Sequence, residues 1–167
     1  DCTPLNTGSV SISCIRAVTP SVVWLTDGGV LRSTNGGDSW QRVSSFPDTI
    51  GAYSIEALDE NVAMLATTSQ SGATHIFQTT NGGGNWSKVF SDPKGFINSI
   101  RMSDPLNGIA QGDPVDGKWT ILRTTDGGQT WNRIPTAPNQ IGTETSIVNC
   151  LTVLGTARCW FGGLEHH

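Results

Sequence analysis

Only a few residues of this 167-residue chain are of types that carry out covalent or acid–base chemistry, and their spacing decides what each can do. Tyr53 is the only tyrosine, and Glu56 follows three positions later. A phenol activated by a carboxylate is a nucleophile, but two strand residues three apart point to opposite faces, so the pair makes a poor dyad. Asp59-Glu60 and Asp113-Pro114-Val115-Asp116-Gly117 bring carboxylates together, as glycosidic cleavage requires. Both stretches read first as acidic turns between strands. Arg133, in Asn132-Arg133-Ile134-Pro135, offers a fork that suits a carboxylate. The same slot holds Arg42 and Lys88 further up the chain, so it reads as an outer-strand position whose aliphatic stem covers a tryptophan. His75 lies just before an apolar strand with no second ligand in view, which does not make a zinc site. No residue is therefore assigned to catalysis, and no cofactor or metal is expected.

Cys2, Cys14, Cys150 and Cys159 have neither CxxC spacing nor a nearby histidine, which leaves structural roles. Cys150 and Cys159 flank Leu154-Gly155-Thr156 and could face each other across a hairpin. Cys2 and Cys14 flank Thr7-Gly8-Ser9 in the same way. Two local disulfides suit a protein exported to the periplasm, the cell surface or the medium, so export is expected.

The elements that would position these residues are announced by a motif that occurs three times. It reads Ser33-Thr34-Asn35-Gly36-Gly37-Asp38-Ser39-Trp40, then Thr79-Thr80-Asn81-Gly82-Gly83-Gly84-Asn85-Trp86, then Thr124-Thr125-Asp126-Gly127-Gly128-Gln129-Thr130-Trp131. The tryptophans recur 46 and 45 positions apart, the period of an array of supersecondary units. The first hydroxyl and the Asn or Asp two residues on can bond N–H groups within the turn. Gly37, Gly83 and Gly128 permit positive φ, and the tryptophan closes the turn with apolar surface.

Strand-like stretches flank every copy and two more precede it, so each period holds four short antiparallel strands, the make-up of one β-propeller blade. Cys14 through Trp24 aligns without a gap on Cys150 through Trp160. Ile55-Glu56-Ala57-Leu58 aligns in turn on Ile15-Arg16-Ala17-Val18. The expected fold is all-β: three blades at about 9–45, 50–92 and 96–136, and the first two strands of a fourth at 144–163. Trp24, Met64 and Trp160 share one position of the repeat and are expected to pack between neighbouring blades. The tail Leu164-Glu165-His166-His167 has the composition of a histidine-tag remnant and is set aside.

Composition agrees with this reading. Twenty glycines, 8 prolines and 14% charged residues make a turn-rich chain poor in exposed-helix formers. The net charge of −4 and the lack of a basic stripe exclude nucleic acid as a partner. No apolar run approaches the length of a bilayer-spanning helix.

The pattern Ser/Thr-x-Asp/Asn-x-Gly-x-x-Trp resembles the Asp-box, or BNR repeat, of sialidases, xyloglucan-degrading glycosidases, sortilin-type receptors and photosystem II assembly/stability factor-like propellers. The stretch from Asn107 to Trp131 is most similar to the last of these. The resemblance covers nearly the whole chain ahead of the tail. It implies a propeller whose Asp-boxes lie at the blade periphery, away from the central site. Sialidases present a carboxylate-binding arginine in an Arg-Ile-Pro triplet before the first box, whereas Arg133-Ile134-Pro135 follows a box. Assembly factors of this kind bind through basic patches, whereas this chain is mildly acidic.

The resemblance thus implies a non-catalytic module for protein interaction or complex assembly. The alternative is a piece of a glycoside hydrolase of sialidase or xyloglucanase type with an incomplete active site. A protein partner or a glycan is expected. So is self-association through the apolar blade faces at the two ends, with two copies closing into a ring of about seven blades or with a longer array.

Overall fold

The computed structural model describes residues 11–43, 46, 49–156 and 158–165. The described residues form four separate antiparallel sheets. The first blade holds β1 (Cys14–Ala17), β2 (Val23–Thr26), β3 (Val30–Ser33) and β4 (Gln41–Arg42). The second holds β5 (Thr49–Ala57), β6 (Ala63–Ser69), β7 (Thr74–Thr79) and β8 (Ser87–Asp92). The third holds β9 (Ile97–Met102), β10 (Gly108–Val115), β11 (Lys118–Thr124) and β12 (Asn132–Arg133). A two-stranded hairpin of β13 (Thr145–Leu154) and β14 (Arg158–Leu164) follows. Each blade is a meander in chain order, as connections this short demand.

Burial runs from the inside of each blade outward. β2 and β6 are buried at every residue, and β6 lies between the first and third blades. β4 and β12 are the fourth strands, and both residues of each are exposed. The first strands stand side by side, β1 against β5, β5 against β9 and β9 against β13. Two apolar clusters fill the gaps between blades. Trp24, Val30, Ala52, Ile55 and Leu65 join the first blade to the second, and Met64, Ile76, Ile100, Leu122 and Trp131 join the second to the third. Trp119 against Phe161, 4.9 Å between ring centroids, begins the third junction.

β13 carries the main irregularity. Its register with β14 shifts between Ser146 and Leu151, and Asn149 there takes φ 61°. The Asn149 amide donates to Ser13 O at 2.8 Å and accepts from Ser54 Oγ at 3.1 Å, while Ser54 Oγ accepts from Ile100 N at 3.2 Å. One side chain thus ties the hairpin to all three blades around the axis.

The hairpin register corrects the expected Cys150–Cys159 bridge. Cys159 pairs with Val153, and Leu151 with Phe161 on the same face, whereas Cys150 lies beside Gly162 on the other. The thiols of Cys14, Cys150 and Cys159 are free. Cys14 is buried and donates to Ile55 O, and burial pushes the Cys159 thiol above its ordinary value. Cys2, the other half of the remaining proposed pair, lies outside the described residues. Without the hairpin bridge, the argument for export from local disulfides loses its support.

Candidate functional site

The residues that could do chemistry are scattered. Tyr53 packs on Phe96, with 4.8 Å between centroids, while Glu56 turns to arginines of the neighbouring blades. Asp59 accepts from Asn61 N and Val62 N and so builds the turn after β5. Asp113 proves to be a strand residue, and the turn is only Asp116-Gly117, both at positive φ. Asp113 accepts from Ser146 N at 2.8 Å, and burial raises its carboxyl against that bond. Asp116 pairs with Lys94.

The recurrent basic position does not serve the motif tryptophans as expected. Arg42 pairs with Asp27 at 2.5 Å, Arg133 pairs with Asp92 at 2.5 Å, and Lys88 lies over the Phe77 ring. Fourth strands are paired along one edge only; Arg42 and Lys88 fasten theirs to their own blade, whereas Arg133 ties its strand to the blade before. Among the described residues, no group of three or more His, Cys, Asp or Glu side chains is placed to hold a metal.

The three motif turns form one structure three times. Gly37, Gly83 and Gly128 N–H groups donate to Ser33 Oγ, Thr79 Oγ1 and Thr124 Oγ1 at 2.8, 3.0 and 2.9 Å. Those hydroxyls donate in turn to Asn35, Asn81 and Asp126. The same side-chain oxygens accept from the N–H of Ser39, Asn85 and Thr130 at 3.0, 2.9 and 3.0 Å. The two glycines that follow the Asn or Asp of every turn are at positive φ. Each turn is also tied to the loop after the first strand of its own blade, by Gly36 N to Ser21 O, Gly82 N to Asn61 O and Gly127 N to Leu106 O. This is a structural device at the rim of each blade, and its hydroxyl and Asn or Asp side chains are spent on the turn's own N–H groups.

A different set of side chains meets near the axis, at the ends of the first strands. Arg16, Glu56 and Arg101 hold the same repeat position in β1, β5 and β9. Glu56 Oε2 lies 2.8 Å from Arg16 Nε and 3.6 Å from Arg101 Nη1, and Glu56 Oε1 accepts from Met102 N at 3.2 Å. Each arginine also donates to the carbonyl of the residue before it, Ile15 or Ile100. One carboxylate thus serves two guanidinium groups and the cluster keeps a net positive charge. Burial, and after it the charge of Arg16, pull the Arg101 guanidinium below its ordinary value, although an arginine remains charged. Arg16 Nη2 is shielded from solvent and has no hydrogen-bond partner among the described residues. The Asp-box turns follow the third strands and the cluster sits at the ends of the first, so both lie on one face of the array.

A wide groove of about 1290 Å³ runs along the outer edges of the first two blades, between Arg32, Arg42, Lys88, Phe46, Phe77 and Trp86. Its aromatic walls are packed on one another, Phe46 on Phe77 at 4.6 Å and on Trp86 at 5.8 Å. It is an open inter-blade surface without an acid–base pair.

Meandering four-stranded sheets, an Asp-box at the same place in each and first strands gathered at an axis define an Asp-box β-propeller segment. The family described as Photosynthesis system II assembly factor YCF48 matches residues 23–112, more than half of the chain, and the chain belongs to it. No curated protein matches the sequence. Among solved structures it is similar to "YCF48 bound to D1 peptide", with 20% identity and TM-score 0.56 over 76% of this chain and 41% of that one. It is also similar to a GH74 enzyme of Niastella koreensis, with 18% identity and TM-score 0.57 over 75% and 23% of the two chains. A GH74 xyloglucanase of Xanthomonas campestris gives 15% identity and TM-score 0.55 over 78% and 23%. The chain spans less than half the length of each of these three, and at such identities the likeness is one of fold.

Proposed function

We propose that the chain is a non-catalytic propeller module that binds a polypeptide segment and so assists the assembly of a protein complex. The binding surface is the axial face bearing Arg16 and Arg101. The observation that carries this reading is the convergence of two guanidinium groups on the single carboxylate of Glu56. The unmatched charge suits an incoming carboxylate, from an acidic side chain or a C-terminus. Family membership supports an assembly role, and a relative of similar fold is described as bound to a peptide.

The test is fluorescence polarisation with labelled peptides carrying Asp, Glu or a free C-terminus, each beside its amide counterpart. Carboxylate peptides should bind in a salt-sensitive manner. Arg101→Ala should weaken them about tenfold, which corresponds to one charge-assisted bond of roughly 1.5 kcal/mol. Equal affinity for acid and amide peptides, or no effect of Arg101→Ala in a folded variant, would overturn the proposal.

The likeness to GH74 enzymes favours a second reading, that of a segment of a glycoside hydrolase. Turnover of xyloglucan or of fluorogenic sialosides by the intact gene product would establish it.

A further inference from the structure

Two of the three boxes carry an asparagine followed by glycine, Asn35-Gly36 and Asn81-Gly82, where the third carries Asp126-Gly127. Such a pair holds its own nucleophile, because a glycine has no Cβ to shield its nitrogen from the preceding side chain. In deamidation the glycine nitrogen attacks the asparagine Cγ, and an N–Cγ bond forms. The Cγ–Nδ2 bond breaks, and ammonia leaves with the glycine's proton. Water then opens the succinimide ring at one carbonyl to give aspartate, or at the other to give isoaspartate, whose main chain is longer by one carbon. Both asparagines are exposed, so water reaches the ring.

The box acts on both reacting atoms, in opposite senses. Asn35 Oδ1 accepts from the Ser33 hydroxyl at 2.9 Å and from Ser39 N at 3.0 Å. Asn81 Oδ1 accepts from the Thr79 hydroxyl at 3.0 Å and from Asn85 N at 2.9 Å. Two donors on a carbonyl oxygen favour the negative charge that builds there during attack. The nucleophile, by contrast, is held back. Gly36 N–H donates to Ser21 O and Gly82 N–H to Asn61 O, and neither can give up its proton while it keeps that bond. A polarised carbonyl helps only once the nitrogen arrives, so the bond to the loop decides and reaction must pass through an opened turn. The second and third boxes are fastened again, because each is seated on the second strand of the blade before its own. Trp86 stands edge-on to Trp24, with 6.3 Å between centroids, and its indole N–H donates to Val43 O. Gln78 donates to Gly127 O at 2.6 Å, and Gly128 packs on the Met64 sulfur. Trp24 and Met64 are fully buried.

The first box is also made to receive the product. Asn35 Nδ2 donates to Ser39 Oγ at 2.9 Å. At the same place in the third box a carboxylate stands, and Thr130 Oγ1 donates to Asp126 Oδ2 at 2.6 Å. A hydroxyl accepts from an amide and donates to a carboxylate with no more than a turn of its proton. Aspartate at position 35 therefore finds its partner already in place, whereas the second box has Asn85 there and no hydroxyl. Isoaspartate cannot, since the added carbon moves Gly36, Gly37 and Ser39 out of register with Ser21 and Ser33. We infer that Asn35 is a site of intramolecular deamidation, held in check by the folded box, and that the first box keeps its structure when the asparagine becomes aspartate. The conversion places a negative charge at the blade rim and needs no reactant but water.

Peptide-mapping mass spectrometry tests this on the full chain, aged at mildly alkaline pH both folded and in urea. The map resolves Asn35 and Asn81 from Asn107-Gly108, a further such pair outside the boxes. In urea Asn35 should convert readily to a mixture of aspartate and isoaspartate. In the folded chain it should convert at least about tenfold more slowly, equivalent to about 1.4 kcal/mol for opening the turn. Ser33→Ala removes the hydroxyl that Gly37 N–H and Asn35 share, so Asn35 should speed up towards its urea rate while Asn81 stays slow. Asn35→Asp tests the product directly. Its far-UV circular dichroism spectrum should match that of the unaltered chain, and its Ser39 amide should shift in an acid NMR titration as the Thr130 amide does. Equal rates at Asn35 in the folded chain and in urea overturn the inference, and so does no conversion in either. A Ser39 amide that stays level in Asn35→Asp, or a variant that does not fold, overturns the fit of the product. Should Ser33→Ala fail to fold, the comparison of folded and urea-treated unaltered chain decides alone.

Discussion

Trp24 and Trp160 occupy the same position of the repeat, and so do Ile55 and Ile15. In each pair the first is sealed and the second faces solvent. The backbone around them is alike: Trp24 pairs with Arg16 across β1 and β2, and Trp160 pairs with Thr152 across β13 and β14. What differs is the neighbour. An Asp-box lies over Trp24, and none among the described residues lies over Trp160. In a stacked array, therefore, burial belongs to the junction and cannot be assigned to a residue from its own blade.

Substitution should separate the members of each pair most strongly in stability. In urea unfolding of dilute chain, Trp24→Ala should cost about 3–5 kcal/mol through the cavity it opens against Trp86. Trp160→Ala should stay within about 0.5 kcal/mol, as surface changes do. Ile55→Ala and Ile15→Ala sharpen the contrast, since the first should cost about 2–5 kcal/mol and the second far less. Comparable losses in both pairs would mean that the junction is not what stabilises these positions.

A smaller effect distinguishes the boxes themselves. Asp126 is held at about 2, below its ordinary 3.8, chiefly by the Thr130 hydroxyl and then by the Thr130 N–H. A carboxyl depressed in this way contributes stability that is complete above its unfolded value and is lost as the pH falls through its folded one. Asn35 and Asn81 accept the same backbone bond without titrating. In an NMR titration from pH 5 downward, the Thr130 amide should therefore move with a midpoint about 2, while those of Ser39 and Asn85 stay level. A Thr130 midpoint at the ordinary carboxylate value would show that the hydroxyl bond does not hold.

Much of this architecture can be read from the sequence, for local reasons. Ser/Thr, Asn/Asp, Gly and Trp at fixed spacing specify the turn chemistry of the box, and its period of about 45 residues implies four short strands. The alignment that equates Ile15-Arg16-Ala17 with Ile55-Glu56-Ala57 also holds the signal for the axial cluster. Three charged residues in one repeat position of first strands must meet where those strands gather. That step requires treating the blades as neighbours, and a reading of one blade at a time misses it. The outer-strand placing of Arg133 follows from the repeat, but its partner, Asp92, comes from the preceding blade, which one blade's sequence does not reveal. The Cys150–Cys159 pairing failed on parity. The register shift before Leu151 and the positive φ of Asn149 set which face Cys150 takes, and nothing in Ile147-Val148-Asn149-Cys150 announces them. Trp160 could not be told from Trp24 because the sequence describes the slot and not its cover.

The most direct test is residue-resolved oxidative footprinting of the tryptophans by mass spectrometry, in solution dilute enough for light scattering to show single copies. The account predicts that Trp160 reacts first while Trp24 stays protected until the chain unfolds, with Trp131 behaving like Trp24. Equal protection of Trp160 and Trp24 in single copies, or early oxidation of Trp24, would contradict the claim that each Asp-box seals the blade before it.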